Sequence, residues 1–474
     1  MSLKSYKSQT GIKGLDELIK GGFTKGSLIL VAGGPGTGKT TFSAQLLYEG
    51  ANKLNEKGLY VSFVEAYDTF IKNMLNLKLD FKALERNGKF KFLGLSPMKK
   101  EALSIISETI LNEVYSFDAK RLVIDSFSVL AQAFESNIEA RIFLETIISK
   151  IIREFGCTTV LIVESPTGGT SIGLGLEEFV VDGIFLLHNF EVENKFFREL
   201  KIIKLRGTEI IRKKAIFSLH NGFKVFKPFK WLKPKKPKKF KPIPDSKEYF
   251  SSGSKDLDLI LGGGYPKGSF NILEVGPRVP IFAHLAFELT MICNSLANGN
   301  GIVYLPPSEI TPEKAKELIE SYVDPEVFKD KVVIIGLGEK SEKPYLYYEE
   351  GISLSKDLLE SIKYIREREH ITGKPFLTII GLDTDERRYG SEQVLKNIDF
   401  IVRDIRERNS ARINIVKASS KIIQELSDIA DVHLKLIEVN DSIFLYGIKP
   451  STCAYNVELI SKKGFPSIRL TPVT

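Results

Sequence analysis

Cysteine is scarce in this chain of 474 residues, with three copies, and histidine is little commoner, with five. Cys157, Cys293 and Cys453 lie more than a hundred residues apart, which excludes a disulfide framework and any close-spaced thiolate metal motif. All three are expected to be buried core thiols. His188, His220, His284, His370 and His433 are equally dispersed, none within four residues of another histidine or a cysteine, so no zinc site is implied. Long apolar runs are also missing. No stretch reaches the length needed to cross a bilayer, and the opening MSLKSYKSQTG has no apolar secretory core. The expected location is the cytoplasm, with no membrane partner.

What is present suits a folded protein of two units. A 43% hydrophobic content argues against disorder, and the length exceeds one ordinary core. The net charge of +8 is local, because Lys224 to Lys241 holds nine lysines and no acid, leaving the remainder at −1. Pro228, Pro234 and Pro237 interrupt that segment, and Pro242 and Pro244 follow it, a composition that favours extended, semi-rigid backbone. The expected layout is a domain over 1–223, a linker over 224–246 and a second domain over 247–474. The linker lysines could face an acidic partner or nucleic acid; a self-repelling solvated spacer is the preferred reading.

The two sides of the linker repeat one another. Gly11 to Pro35 aligns without a gap with Gly253 to Pro277, and Lys13, Leu15, Asp16, Gly21, Gly22, Lys25, Gly26, Ser27, Gly34 and Pro35 recur there. Each half opens with a short helix, a glycine turn and a buried strand, so the period signals tandem domains. Beyond Pro35 the copies part. Gly33 to Thr40 reads GGPGTGKT, which fits G-x-x-x-x-G-K-[ST], and it lies between an apolar strand and a helical stretch. In such a loop Gly34, Gly36, Thr37 and Gly38 wrap phosphates with backbone N–H groups, and Pro35 lies in the turn between them. Lys39 reaches the outer phosphates, Thr40 ligates Mg²⁺, and Thr41 continues the helix N-terminus. The expected cofactors are ATP and Mg²⁺. In the second copy Ile281 and Phe282 stand opposite Lys39 and Thr40, and Arg278 and Pro280 replace Gly36 and Gly38. Charge, metal ligand and backbone permissiveness are expected to be lost together there.

Two further strands of the first half end in acids. RLVIDS places Asp125 where a carboxylate can hold the water shell of Mg²⁺. GLYVSFVE places Glu65 at a strand end beside the phosphate loop, where it can act as base for an attacking water.

These segments, with LIVES, EEFVVDGIFLL and KLRGT, resemble in order the KaiC-like branch of the RecA/RadA ATPase superfamily over residues 8 to 226. The resemblance implies an α/β fold of two tandem RecA-like P-loop domains, each a mostly parallel sheet flanked by helices. It also implies a homo-oligomer, a hexameric ring among its forms, with ATP at subunit boundaries. By the same resemblance Lys204 and Arg206 of KLRGT reach a neighbour's γ phosphate, and Glu164 of LIVES senses nucleotide. The family has two adjacent glutamates where this chain has Val64 and Glu65, so slow hydrolysis is expected. In the second half the motifs are degraded: Pro307 and Ser308 oppose Val64 and Glu65, Asp383 is only loosely comparable with Asp125, and GIKPST replaces KLRGT. Neither autokinase activity nor timekeeping is inferred.

Three functions remain open. The preferred one is a regulatory or signalling ATPase that converts ATP state into oligomer or partner state. A DNA-acting motor or recombinase is disfavoured, because the loop Ser165 to Glu178 has two acids and no Lys or Arg. The chain also begins at the ATPase core, which is expected to leave no room for an accessory DNA-binding domain. The third reading, a non-hydrolysing ATP-binding scaffold, is motivated by Val64 and by the second half.

Overall fold

The computed structural model describes residues 6–95, 102–134, 136–145, 151, 154–165, 180–231, 234, 236–337, 345–460, 464–465 and 467–474. The chain divides into one unit of Met1–Lys227 with Pro472–Thr474 and a second of Pro228–Thr471.

The first unit opens with a small antiparallel pair, β1 (Lys7–Ser8) and β2 (Phe23–Thr24). Its main sheet comprises β3 (Leu28–Gly33), β4 (Gly58–Ser62), β5 (Phe90–Gly94), β6 (Arg121–Asp125), β7 (Thr158–Glu164), β8 (Gly183–Val192), β9 (Lys195–Leu205), β10 (Lys214–Ser218) and β11 (Lys224–Val225). The spatial order is β11-β10-β9-β8-β3-β7-β6-β4-β5. β3 lies between β7 and β8, parallel to both. The sequence LILVAG is apolar throughout because such a strand is covered on both faces. Its alternation divides the core. Ile29 and Val31 pack with Phe42, Phe185 and Phe223 on one side, while Leu28, Leu30 and Ala32 join Ile110, Leu122 and Leu161 on the other.

The second unit repeats the plan. A pair, β12 (Tyr249–Phe250) with β13 (Tyr265–Pro266), precedes a sheet built from β14 (Ser269–Val275), β15 (Gly301–Leu305), β16 (Val332–Leu337), β17 (Leu346–Glu349), β18 (Phe376–Gly381), β19 (Ala411–Lys417), β20 (Val432–Val439), β21 (Ser442–Lys449), β22 (Tyr455–Ile460) and β23 (Ser467–Pro472). Its order, β17-β16-β15-β18-β19-β14-β20-β21-β22-β23, follows the first sheet with β17 added at one edge. Both units are thus α/β, with mostly parallel sheets flanked by helices. The recurring aspartates have a local reason. Asp16 accepts from Thr10 N, Thr10 Oγ1 and Gly11 N, and Asp258 accepts from Ser251 Oγ, Ser252 N and Ser252 Oγ, tying each entry segment to its first helix.

Three expectations need correction. Cys157 and Cys293 are buried, but Cys453 is exposed. The segment 224–246 is not a free spacer. Phe240 packs with Cys293, Tyr322 and Phe465, and Trp231 stacks on Phe282 at 5.2 Å between ring centroids, because its aromatic residues find apolar partners in the second unit. Finally, Arg278 keeps the left-handed φ of +68°, matching +69° at Gly36, so this turn survives without glycine. The departure falls at Pro280, whose φ of −68° replaces +99° at Gly38.

Candidate nucleotide site

The carboxyl end of β3 runs into the phosphate loop, and the helix Lys39–Lys53 starts directly after Gly38. Two glycines are dictated by geometry. A Cβ at Gly33 would meet Leu187 O at 2.4 Å and Thr37 Oγ1 at 2.6 Å, and Gly38 needs its φ of +99° to turn the chain into the helix. Lys39 Nζ donates to the carbonyls of Gly33 and Gly34, both at 2.8 Å, and Thr37 Oγ1 donates to Gly34 O at 2.8 Å. The loop is therefore held in a cradle shape by its own side chains. Arg198 on β9 adds a bond from Nη1 to Gly36 O at 2.9 Å.

A cleft of about 600 Å³ opens above the loop, lined by Gly36, Lys39, Thr40, Glu65, Asp125 and Glu164 among others. Parallel register sets Ser62 of β4 beside Asp125 of β6, so both strand ends reach the same edge of the sheet. Asp125 Oδ2 accepts from Thr40 Oγ1 at 2.9 Å and from Tyr60 Oη at 2.5 Å. Glu65 is positioned by Ser62, whose Oγ accepts from Glu65 N at 2.9 Å, and by Asn73 Nδ2, which donates to Glu65 Oε1 at 2.7 Å.

Burial disfavours each charge in the cleft. It lowers the Lys39 pKa, against the opposing pull of Glu164 and Asp125. Burial raises the Asp125 pKa, with the Tyr60 and Thr40 hydrogen bonds and the Lys39 charge opposing it. Glu65 is raised chiefly by burial, opposed by Asn73 and reinforced by Asp125. A cation and acids crowded into one partly desolvated cleft can hold a metal-bound polyanion, which would relieve these costs together.

The residues singled out in the sequence gather only in part. Lys39, Thr40, Thr41, Glu65, Asp125 and Glu164 line one cleft. Lys204 and Arg206 do not. β9 runs antiparallel to β8 and places Leu205 beside Gly183, which itself lies beside Ile29 near the start of β3. They thus sit at the opposite end of the sheet from the loop of their own unit, roughly 15 Å of strand away. Arg206 Nη1 approaches Asp182 Oδ1 at 3.7 Å. The glycine-rich loop of residues 165–178 lies outside the described residues beyond Ser165. Tyr60, Asn73 and Arg198 were missed by motif reading. For Tyr60 the available signal was a phenol in an otherwise apolar strand next to the acid-bearing one.

The corresponding place in the second unit is different chemistry. Ile281 opens the helix Ile281–Ala297, and Phe282 lies under Trp231. The register pairs Leu305 with Ile380 where the first unit pairs Ser62 with Asp125, so Ile380, not Asp383, occupies the position of Asp125. Lys449 of GIKPST is drawn away to the carbonyls of Ser427 and Asp428 at a helix end.

Comparison with known proteins agrees with this geometry. Residues 8–228 match the ATPase family described as KaiC, and residues 239–335 match a family described as GvpD basic region 2. The circadian clock oscillator protein KaiC of Thermostichus vulcanus is 32% identical over 285 residues, covering 58% of this chain and 53% of that protein. The KaiC protein of Thermosynechococcus vestitus gives the same values. A KaiC-like protein of the hyperthermophilic archaeon Pyrococcus horikoshii is 35% identical, covering 47% of this chain and 99% of that one, with a TM-score of 0.42. The chain spans about half the length of the curated relatives it matches. Residues 8–228, which carry the phosphate loop, its lysine and its facing acid, are thus similar to the KaiC ATPase family, and the chain to about half the length of the KaiC proteins it matches.

Proposed function

We propose that the first unit binds Mg-ATP and hydrolyses it slowly, and that nucleotide state sets the oligomeric or partner state of a regulatory protein. The observation that carries this reading is the single cleft uniting Lys39, Thr40, Glu65 and Asp125. When bound, Mg-ATP would supply the transferable phosphoryl group and a divalent charge that offsets its negative oxygens. The residues of the chain divide the remaining work. The loop N–H groups and Lys39 bind and orient phosphate, with Lys39 exchanging its carbonyl partners for phosphate oxygens. Thr40 and Asp125 would hold the metal and its water shell. Glu65, its pKa raised by burial, takes the proton of the attacking water.

The placement of Lys204 and Arg206 far from their own loop supports delivery to a neighbouring subunit, in a ring with ATP at each boundary. The second unit serves as scaffold. Val64 favours one alternative, a binder that does not hydrolyse, because an exposed valine stands where a second carboxylate would help activate water. Single-turnover hydrolysis by the wild type and by Lys39→Ala decides between them. Mg²⁺-dependent turnover that vanishes in the variant supports the ATPase. Lys39-dependent binding without turnover supports the silent binder, and ATP binding unaffected by Lys39→Ala overturns both. Molecular mass in solution should rise with Mg-ATP if the sites lie between subunits.

A further inference from the structure

The second unit has lost its phosphate-loop chemistry but keeps another cleft at the carboxyl ends of its parallel strands. We propose that this cleft, between β15, β16 and the helix Leu382–Tyr389, binds a small organic anion: a phosphate or carboxylate head on an apolar or aromatic body.

Topology is the first argument. The connection after β15 leads outward to β16, whereas that after β18 leads the other way to β19, and β15 and β18 are neighbours. Adjacent connections that diverge leave a crevice beyond the strand ends, which is where open α/β sheets take ligands. Here the crevice encloses about 530 Å³, within the usual range for small-molecule sites.

The lining supplies the chemistry. Pro307, Ile310, Ile335 and Tyr348 form an apolar wall, and Arg387 and Arg388 face it from the helix after β18. Against these two arginines the lining has one carboxylate among the described residues, Glu313, while Glu349 pairs with Arg388 from outside it. Arg388 is the independent sign of a missing partner. Only 8% of its side chain is exposed, and Nη1 donates to Glu349 and to Tyr389 Oη. Its Nε and Nη2 are buried without a hydrogen-bond partner. A buried guanidinium edge left unpaired is costly, and an anion in the adjoining cleft would offset its charge. Arg387 is exposed and pairs with no carboxylate among the described residues, which leaves it available to draw an anion in.

The rest of the wall is fixed in place. Ser308 Oγ donates to Asp383 Oδ2 at 2.6 Å, and Thr384 Oγ1 donates to Pro306 O at 2.9 Å. A triphosphate does not fit this chemistry. Among the described residues neither Ile281 nor Phe282 nor any lysine lines the cleft, and Ile380 stands where the first unit has Asp125. The site is thus distinct from the nucleotide site and independent of its function.

Calorimetric titration of the full chain, with Mg-ATP at saturation to occupy the first unit, tests the proposal. The probes are 1-naphthyl phosphate, 1-naphthoate and the uncharged 1-naphthol. At least one anionic probe is expected to bind at one per chain, about tenfold more tightly than 1-naphthol, and the better of the two identifies the head group. Arg387→Glu, an exposed change that leaves the fold intact, should weaken it by about tenfold or more. Ile310→Trp should block it by filling the cleft. Failure of both anions to saturate, or equal affinity in the wild type and both variants, overturns the proposal.

Discussion

Tyr60 donates its phenol hydrogen to Oδ2 of Asp125, the same oxygen that accepts from Thr40, so a buried side chain fixes the rotation of that carboxylate. The phenol is fully enclosed, and burial followed by the Asp125 charge pushes its pKa well up, keeping it a donor. Under the proposed function Tyr60 is a positioning residue. Tyr60→Phe preserves the packing against Phe70 and Phe92 and removes only the hydroxyl. The Mg²⁺ concentration for half-maximal ATP binding should rise roughly tenfold, with metal-free binding unchanged. An unaltered Mg²⁺ titration would reduce Tyr60 to a core residue.

Thermal stability should report on nucleotide through Lys39. A ligand that binds only the folded state at a hundred times its Kd adds about 2.7 kcal/mol. Wild-type protein is expected to melt higher with Mg-ATP, in a transition assignable to the first unit. Lys39→Ala should melt at one temperature with or without it.

Arg121 is the least exposed charged residue among the described residues of the first unit. It is 1% exposed, bonds Glu56 at 2.6 Å, and donates to the carbonyls of Leu46 and Gln9 at 2.7 and 2.6 Å. It thereby ties the entry strand to the helix after the phosphate loop. Arg121→Ala leaves Glu56 and those carbonyls without their donor, and removing one partner of a buried pair costs about 3–5 kcal/mol. Denaturant unfolding should show that loss, and a change below about 1 kcal/mol would mean the carbonyls are rescued by water.

Restoring the lost lysine and hydroxyl should not restore a nucleotide site. In the double variant Ile281→Lys, Phe282→Thr, Pro280 still prevents the loop turn, and Ile380 still faces the metal side. ATP binding to the chain should stay at one equivalent by equilibrium dialysis. A second equivalent would show that loop shape and the facing acid are dispensable.

Acid titration should favour the second unit down to moderately low pH. Burial, with repulsion from neighbouring acids, raises Glu349 to about 7, and burial raises Asp385 to about 6. Their folded forms hold protons that the unfolded chain has released, so their stabilising contribution is full below the ordinary carboxylate range and is lost as pH rises through about 6 to 7. Asp385→Asn keeps a neutral group there at every pH. Its unfolding free energy should fall less than the wild type's between pH 4 and 7, and parallel curves would contradict the assignment.

The phosphate loop was legible because its chemistry is local: Gly33 to Thr40 are consecutive, and their roles follow from backbone freedom, one charge and one hydroxyl. The repeat was legible for the same reason, its matched residues being turn glycines, strand starts and the aspartates that hold the entry segments. Glu65 and Asp125 could be nominated, since an acid after an apolar strand is a local pattern. The linker was misjudged because lysine and proline dominate its composition, whereas Trp231 and Phe240 decide where it packs.

The amino-acid order by itself determined that one half carries a lysine and a hydroxyl at the end of a phosphate-loop motif and that the other carries isoleucine and phenylalanine there. Only the tertiary structure decided which distant side chains share a space. Strand register set Tyr60 on Asp125 and put Ile380 where Asp383 had been considered. The antiparallel return of β9 carried Lys204 and Arg206 to the far end of the sheet, and the divergence of two connections opened a second cleft around Arg387 and Arg388. Such relations depend on pairing between segments tens to hundreds of residues apart, which local spacing does not encode.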